Sequence, residues 1–331
     1  MSNRIKIFLF FALLSYLPAS AQVYEAWVAR YNGTGNSSGI AYALAIDNSG
    51  NVYVTGISDG GLVTGYDYAT IKYAPNGDTL WVRRYNGGDA AYALAVDDSG
   101  NVYVTGYGSG TYTDYVTIKY SSLGDTLWVR RYSGPGNFFD YASALAVDKS
   151  GNVYVTGSSP DSVTSYDYAT IKYSSFGDTL WVRRYNGPGN ADDLAKALAV
   201  DDSGNVYVTG GSYGSGTFND YATIKYSSAG DTLWVRRYNG PGNLADGASA
   251  LAVDDSGNVY VTGGSERDYA TIKYAPNGDT VWVRRYKGPG FFADHASALA
   301  VDGSGNVYVT GYSYGSGTFA DYATIKYSSA G

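Results

Sequence analysis

Few side chains in this sequence could take part in catalysis. The chain has one histidine, His295, and no cysteine, and its only glutamates are Glu25 and Glu266. Nucleophilic catalysis needs a serine, threonine or cysteine activated by a base, and glycoside hydrolysis needs two carboxyl groups at a set separation. Asp192 and Asp193 are adjacent, so on an extended chain they point in opposite directions. The sequence therefore predicts a non-enzymatic protein with no catalytic residues and no cofactor; a hydrolase or lyase is the less favoured alternative.

A second set of acidic residues recurs in the pattern D-x-S-G-N. Its first aspartates are Asp47, Asp97, Asp148, Asp201, Asp254 and Asp302. The pattern resembles half of a calcium loop, but an EF-hand loop needs more carboxylates and a distal glutamate. An aspartate that begins a turn also accepts hydrogen bonds from the backbone of that turn. We therefore predict structural turn aspartates rather than a metal site.

These turns mark an internal repeat. The glycine of each S-G-N stands at position 50, 100, 151, 204, 257 or 305, at intervals of 50, 51, 53, 53 and 48 residues. Self-similarity with such a period is typical of solenoids, propellers and arrays.

Each repeat predicts four strands, which we call A, B, C and D. In residues 195–238 they read AKALAV, NVYVTG, DYATIKY and TLWVRRY, rich in β-branched and aromatic residues and separated by turns. Bulky groups occupy both faces of these strands, and radially packed blades bury both faces. The repeated R-R of strand D, with the Lys and Asp of strand C, predicts salt-bridge ladders between neighbouring strands or blades.

The two ends of the chain predict how such a ring would close. Residues 25–31, EAWVARY, match strand D alone, and the chain stops at residues 321–331, just after strand C. The predicted fold is an all-β propeller of six four-stranded antiparallel blades, closed by the N-terminal strand pairing in the last blade. Truncation of a longer array at its C-terminus is the alternative, because every other S-S-x-G-D turn continues into strand D.

The sequence ALAVDDSGNVYVTG followed by DYATIKYSSAGDTLWVRRYNG resembles the SBBP-type β-propeller repeat of exported bacterial proteins. The resemblance covers nearly all of the chain after the first residues. It implies a secreted or cell-surface propeller, of a kind often found within larger adhesive proteins, and it implies no catalytic motif.

Residues 1–21 predict a secretory signal peptide. Arg4 and Lys6 precede an apolar run over 7–17, and Ala19-Ser20-Ala21 forms a small-residue cleavage site. We expect residues 22–331 to form one secreted or cell-surface propeller domain, monomeric and with no further membrane span. A formal net charge of −7 argues against nucleic-acid binding.

Comparison of the repeats with one another locates the variable surface. The A–B and C–D turns are nearly uniform, whereas the B–C loops and the D–A crossovers differ, and in a propeller these share one face. Loops on a rigid scaffold are common binding sites. The predicted ligand-binding residues on this variable face are Phe138, Phe139, Asp140, Asp192, Asp193, Asp246, Phe291, Phe292, Asp294 and His295.

Two function classes follow. We expect a protein-interaction or structural scaffold that meets an unknown protein or glycan at the cell surface. A lectin-like, carbohydrate-binding propeller is the alternative, because tyrosine, tryptophan and asparagine are abundant. A lectin of this kind predicts an equivalent pocket in every blade, and the variable face is not equivalent from blade to blade.

Overall fold

The computed structural model describes residues 24–34, 38–61, 65–110, 112–161 and 165–331, and the predicted signal peptide, residues 1–21, lies outside them. Across these ranges the chain forms 23 β-strands and no helix. Correspondingly, no membrane-spanning helix occurs in the described part of the chain. The strands form six antiparallel sheets of consecutive strands, five with four strands and one with three. The all-β prediction is confirmed.

We number the sheets blades 1 to 6 in chain order. Blades 1 and 2 contain β1 (Gly39–Ile46), β2 (Val52–Asp59), β3 (Tyr66–Tyr73), β4 (Thr79–Tyr85), β5 (Ala90–Val96), β6 (Val102–Ser109), β7 (Thr113–Tyr120) and β8 (Thr126–Tyr132). Blades 3 and 4 contain β9 (Tyr141–Val147), β10 (Val153–Pro160), β11 (Tyr166–Tyr173), β12 (Thr179–Tyr185), β13 (Asp193–Val200), β14 (Val206–Tyr213), β15 (Asn219–Tyr226) and β16 (Thr232–Tyr238). Blades 5 and 6 contain β17 (Asp246–Val253), β18 (Val259–Ser265), β19 (Asp268–Tyr274), β20 (Thr280–Tyr286), β21 (His295–Val301), β22 (Val307–Tyr314) and β23 (Ala320–Tyr327).

The A–B turn is held by its aspartate. Asp97 Oδ1 accepts the backbone N–H groups of Ser99 and Asn101 at 2.9 Å each, and Oδ2 accepts Asn101 Nδ2 and the Tyr103 hydroxyl at 2.8 Å each. Burial by itself would raise the pKa of Asp97, but these hydrogen bonds outweigh it and lower the pKa. The other five turn aspartates form the same bonds. The prediction of structural turn aspartates is confirmed.

Each pair of neighbouring blades shares one apolar core. A blade presents an aromatic face on one side and an aliphatic face on the other, and the aromatic face packs on the aliphatic face of the following blade. Between blades 1 and 2 the core contains Tyr53, Tyr68 and Trp81 against Ala91, Val102, Val104, Val116, Ile118 and Tyr120. Equivalent cores join each later pair of blades.

Polar side chains of one blade also bind the C–D turn of the next. Trp81 Nε1 and Lys72 Nζ both donate to the backbone oxygen of Ser122, at 3.2 Å each. Arg83 Nε donates to the backbone oxygen of Gly124 at 2.5 Å, and its guanidinium lies 5.7 Å from the Trp81 ring centroid. Each turn therefore serves as an acceptor for its neighbour, so its backbone position is fixed by packing between blades.

The second arginine of each R-R pair makes the ion pairs. Arg84 Nη2 lies 2.6 Å from Asp67 Oδ2 within blade 1, and the same bond forms between Arg184 and Asp167, at 2.9 Å. The expected salt-bridge ladders are therefore right for this arginine and wrong for the strand C lysine and the first arginine. Those two donate to backbone carbonyls of the next blade.

Residues 25–31 lie against blade 1 in the place that a preceding strand D would take. Trp27 Nε1 donates to the backbone oxygen of Pro75 at 3.0 Å, and the Trp27 and Tyr73 ring centroids are 5.9 Å apart. Arg84 Nη1 donates to the Tyr31 hydroxyl at 3.2 Å. The strand D tryptophans of blades 1 to 5 make the same two contacts with the blade that follows. The hydroxyl groups of Tyr132, Tyr185 and Tyr238 also accept from an arginine of the following blade.

The predicted pairing that closes the ring is not shown. Within the described residues 25–31 form no strand, β23 pairs with β22 alone, and the sixth sheet has three strands. Strands A of successive blades pack in order from β1 to β21, but β21 does not pack closely on β1 in the described chain. The strand D contacts of residues 25–31 are thus satisfied by blade 1, while the edge of β23 stays open.

The cores between blades predict a large effect of one tryptophan. Trp128 is 8% exposed and donates to the backbone oxygen of Ser175 at 3.2 Å, so Trp128→Ala should lower the free energy of unfolding by about 3–5 kcal/mol. Its neighbour Leu127 is 51% exposed, and Leu127→Ala should change the free energy of unfolding by less than about 0.5 kcal/mol. Urea unfolding measures both, and equal losses would contradict this packing.

The turn aspartates predict a pH dependence. The folded pKa of Asp97 is lowered, so its stabilising effect is present above the unfolded pKa, about 3.9, and is lost as the pH falls through the folded pKa. The difference in melting temperature between the wild type and Asp97→Asn should be large at neutral pH and shrink below about pH 4. Asp98 is exposed in the same turn, and Asp98→Asn is the control. A difference for Asp97→Asn that stays constant with pH would refute the assignment.

Candidate functional site

Strand A of every blade contains a β-bulge at the same position. The register shifts there by one residue against strand B, which leaves one residue of strand A without a partner. Bulges re-aim side chains and are frequent beside functional sites. The bulged residues are Tyr42, Tyr92, Ser143, Lys196, Ser249 and Ser297.

This bulge requires a glycine in strand B. A Cβ added to Gly106 would lie 1.9 Å from the backbone oxygen of Ala90, so the chains approach too closely for any other residue. The glycine ends the V-T-G of each repeat and makes the same approach in every blade. The backbone at the bulge is therefore uniform, whereas the side chain that it presents differs between blades.

Four of the bulged residues line one cleft of about 630 Å³ on blades 1 to 4. The volume and the aromatic lining are those of a small-molecule site. We call it the tyrosine cleft; its wall contains Tyr42, Tyr92, Tyr107, Tyr141, Tyr166, Ala142, Ser143, Ser158, Leu194, Ala195 and Lys196.

The tyrosines of the cleft form a continuous series of ring contacts. Centroid distances are 4.9 Å from Tyr42 to Tyr92, 5.6 Å from Tyr92 to Tyr107 and 5.1 Å from Tyr107 to Tyr141. Tyr141 then lies 6.2 Å from Tyr166. These distances are in the range of favourable aromatic pairs, so each ring restrains the next.

Part of this aromatic surface is open to solvent. Tyr42 is 42% and Tyr141 is 37% exposed. Burial, followed by a hydrogen bond with Tyr92, raises the pKa of Tyr107, and burial also raises the pKa of Tyr141 and Tyr166. The phenols of these three tyrosines are neutral at physiological pH, so the cleft offers ring faces together with uncharged hydroxyl groups.

Three of the predicted ligand-binding residues adjoin the tyrosine cleft. Phe139 stacks on Tyr141 at 6.4 Å with an interplanar angle of 15°, and Phe138 stacks on Tyr112 at 5.6 Å. The exposed carboxylate of Asp192 accepts the backbone N–H of Tyr166 at 3.2 Å. Phe138 and Phe139 are 54% and 44% exposed, so they extend the aromatic surface beyond the cleft.

Four other predicted residues are buried in the crossovers between blades. Each accepts the backbone N–H of the first glycine of its crossover, as Asp193 Oδ2 does from Gly187, and Asp193 Oδ1 also accepts Tyr213 N–H at 3.0 Å. Burial raises the pKa of three of these carboxyls against the lowering effect of such bonds. Their oxygens hold the crossover to strand B; the four residues are Asp140, Asp193, Asp246 and Asp294.

The remaining predicted residues lie on blades 5 and 6. Phe291 and Phe292 are 93% and 69% exposed and border a second cleft of about 420 Å³. His295 stacks on Tyr312 at 5.9 Å, and its Nε2 lies 3.4 Å from Ser249 Oγ. Burial lowers the pKa of His295, so the ring is neutral at physiological pH. The two phenylalanine pairs thus border different clefts, and the ligand-binding role of all ten residues stays a prediction.

The sequence analysis missed the residues that form the tyrosine cleft. The signal was present, because every strand A shares the pattern A-x-A-L-A and the bulged residue x changes between tyrosine, serine and lysine. The residue before that first alanine also varies. A periodicity of two does not distinguish that position from its neighbours, since the bulge depends on the glycine of the paired strand.

In the described ranges, no three His, Cys, Asp or Glu side chains are grouped as metal ligands would be.

Comparison with known proteins identifies the repeat. A family model described as the SBBP beta-propeller repeat matches residues 80–112, 127–160, 180–216 and 294–317. No curated protein matches the chain. A crystal structure of a protein of unknown function from Bacteroides caccae is 13% identical, with 75% of this chain and 82% of that chain covered and a TM-score of 0.46. A likeness that weak carries no argument about function.

The four matched stretches lie in blades 1 to 4 and in blade 6, and three of them run from strand D of one blade into strand B of the next. They agree with the repeat read from the sequence and with the six consecutive antiparallel sheets. The chain therefore contains SBBP-type β-propeller repeats.

Proposed function

We propose that this protein is a non-catalytic binding propeller, exported from the cell, that holds a carbohydrate in the tyrosine cleft. The observation that supports this most directly is the run of five tyrosines along one open cleft. A tyrosine has an apolar face with a polar hydroxyl at its edge, and a sugar ring has apolar faces edged with hydroxyls. The two surfaces therefore match in both shape and polarity.

The chemistry of the acidic and basic groups supports a role without catalysis. The His295 ring is stacked on Tyr312, and Asp193 has both carboxylate oxygens bound by backbone N–H groups. A general base must instead reach the proton that it removes from a substrate. The export of the protein rests on residues 1–21 and is part of the proposal.

A protein-binding scaffold is the second candidate, and a different surface favours it. Phe291, Phe292 and Phe319 on blade 6 and its crossover are 93%, 69% and 90% exposed. Large exposed aromatic side chains are enriched at protein interfaces. A scaffold would use this surface, whereas the carbohydrate site uses blades 1 to 4.

A glycan array tests the proposed function. The wild-type chain should bind a set of oligosaccharides, and Tyr92→Ala should weaken that binding by about tenfold, because one stacking face is lost. Phe176→Ala is the matched control, since Phe176 is 80% exposed on a C–D turn and lies outside the cleft. It should bind as the wild type does.

Two results would contradict the proposal. The array could give no carbohydrate hit, or its hits could survive both Tyr92→Ala and Tyr42→Ala. Loss of a protein partner on Phe291→Ala, with no carbohydrate hit, would favour the scaffold instead.

We also propose that residues 25–31 complete blade 6 in a closed ring. They already make strand D contacts with blade 1, and β23 has an open edge where Tyr322 is 98% exposed. In blade 1 Thr70 of strand C pairs with Arg83 of strand D, and the equivalent residues are Thr324 and Ala29. Pairing there would satisfy the unpaired backbone groups of β23.

Cysteine cross-linking tests closure in a chain that has no native cysteine. The double variant Ala29→Cys/Thr324→Cys should form an intramolecular disulfide on mild oxidation, seen as a faster-migrating monomer on a non-reducing gel. The two single variants are the controls. Intermolecular dimers alone, or no disulfide, would show that the two segments do not pair.

A further inference from the structure

Lys196 and Lys287 differ from the other lysines of the described chain, and of these two Lys196 lies in the tyrosine cleft. In six repeats the strand C lysine lies over a tyrosine ring, as Lys72 does at 5.0 Å from the Tyr53 centroid, and Lys149 pairs with Asp202 at 2.8 Å. Among the described residues, Lys196 has no ion pair, hydrogen bond or ring contact, and it is exposed. It occupies the bulged position of blade 4, within the tyrosine cleft.

The surroundings leave the charge of Lys196 without a counterion. The preceding carboxylate, Asp193, is buried, and its oxygens accept the N–H groups of Gly187 and Tyr213. Asp192 is exposed beside the cleft but is bound to the backbone of Tyr166. No carboxylate is among the residues that line the cleft. An ammonium group in an aromatic cleft of an acidic protein, net charge −7, is a local site for an anion.

The geometry of strand A argues against a peptide as the ligand that carries the anionic group. An extended peptide gains affinity by pairing its backbone with a regular strand edge. The bulges at Tyr42, Tyr92 and Lys196 interrupt the hydrogen-bonding row of each strand A. Ring faces and hydroxyls remain available instead, and these suit a cyclic, hydroxylated ligand.

We propose that the tyrosine cleft selects carboxylate-bearing sugars, with Lys196 binding the carboxylate while the pyranose ring stacks on the tyrosines. This inference rests on the proposed carbohydrate binding and adds the chemical class of the ligand. A charge-assisted hydrogen bond from the ammonium to the carboxylate is roughly twice as strong as a neutral one, so charge decides which sugar binds best.

The test uses oligosaccharides of galacturonate, mannuronate and glucuronate, together with sialyllactose, each paired with its carboxyl-reduced counterpart. For the full chain, the acidic member of at least one pair should bind about tenfold more tightly. Lys196→Gln should abolish that preference and Lys196→Arg should retain it. Lys287→Gln is the matched control, because Lys287 is exposed outside the tyrosine cleft, and it should leave the preference unchanged.

The outcomes separate this inference from the proposed function. Equal binding of acidic and reduced sugars, lost in Tyr92→Ala, would overturn the role of Lys196 and leave carbohydrate binding standing. No sugar binding at all would overturn both. A poly-glutamate peptide could bind more tightly than any acidic sugar, and this binding could also be lost in Lys196→Gln. That result would overturn the proposed sugar ligand and assign the cleft to acidic peptides.

Discussion

The contact between the aromatic face of one blade and the aliphatic face of the next determines the rest of this structure. Blade 3 covers the aromatic face of blade 2: Val153, Val155 and Ile171 pack on Tyr103, Tyr115 and Trp128 and bury them. A single four-stranded sheet has no core of its own, so its stability is shared with its neighbours. The lysine and first arginine reinforce this by donating to the turn of the following blade. The sequence repeats because every blade must present an aromatic face to one neighbour and an aliphatic face to the other.

This packing fixes the backbone around the centre and leaves one side chain in each blade free to vary. Strands A and B approach so closely beside the bulge that only glycine fits in strand B, as at Gly106. The bulged residue takes no part in the core between blades. Tyrosine at two of these positions and lysine at a third change the chemistry of the cleft without altering the fold. The four bulged residues that line the tyrosine cleft therefore vary on a constant backbone.

Much of the fold could be predicted from the sequence because its signals are local. The alternation of Val206 and Val208 in strand B, and the Asp201 and Gly204 of the turn, act within a few residues. Closure could not be predicted reliably, since residues 25–31 make strand D contacts with blade 1 whether or not they pair with β23. The strand D pattern of residues 25–31 does not specify whether the segment only packs on blade 1 or also pairs with β23 of blade 6.

The candidate site was predicted less well, for physical reasons that differ between residues. Phe138 and Phe139 adjoin the tyrosine cleft, and the variable crossover that contains them marks them in the sequence, but their ligand-binding role stays a prediction. Asp140 looked equally available in the sequence, yet it is buried and accepts the backbone N–H of Gly134 at 2.9 Å. Short crossovers need an acceptor for their own N–H groups, and sequence position alone does not separate such an anchor from a ligand. The bulged residues were overlooked because a bulge is a property of two paired strands.

A crystal structure of the protein with an acidic oligosaccharide would test directly whether the tyrosine cleft binds carboxylate-bearing sugars. We expect a pyranose ring against Tyr42, Tyr92 or Tyr141, with its carboxylate within about 4 Å of Lys196 Nζ. A sugar seated elsewhere, beside Phe291 and Phe292 or on the D-x-S-G-N turns, would contradict it.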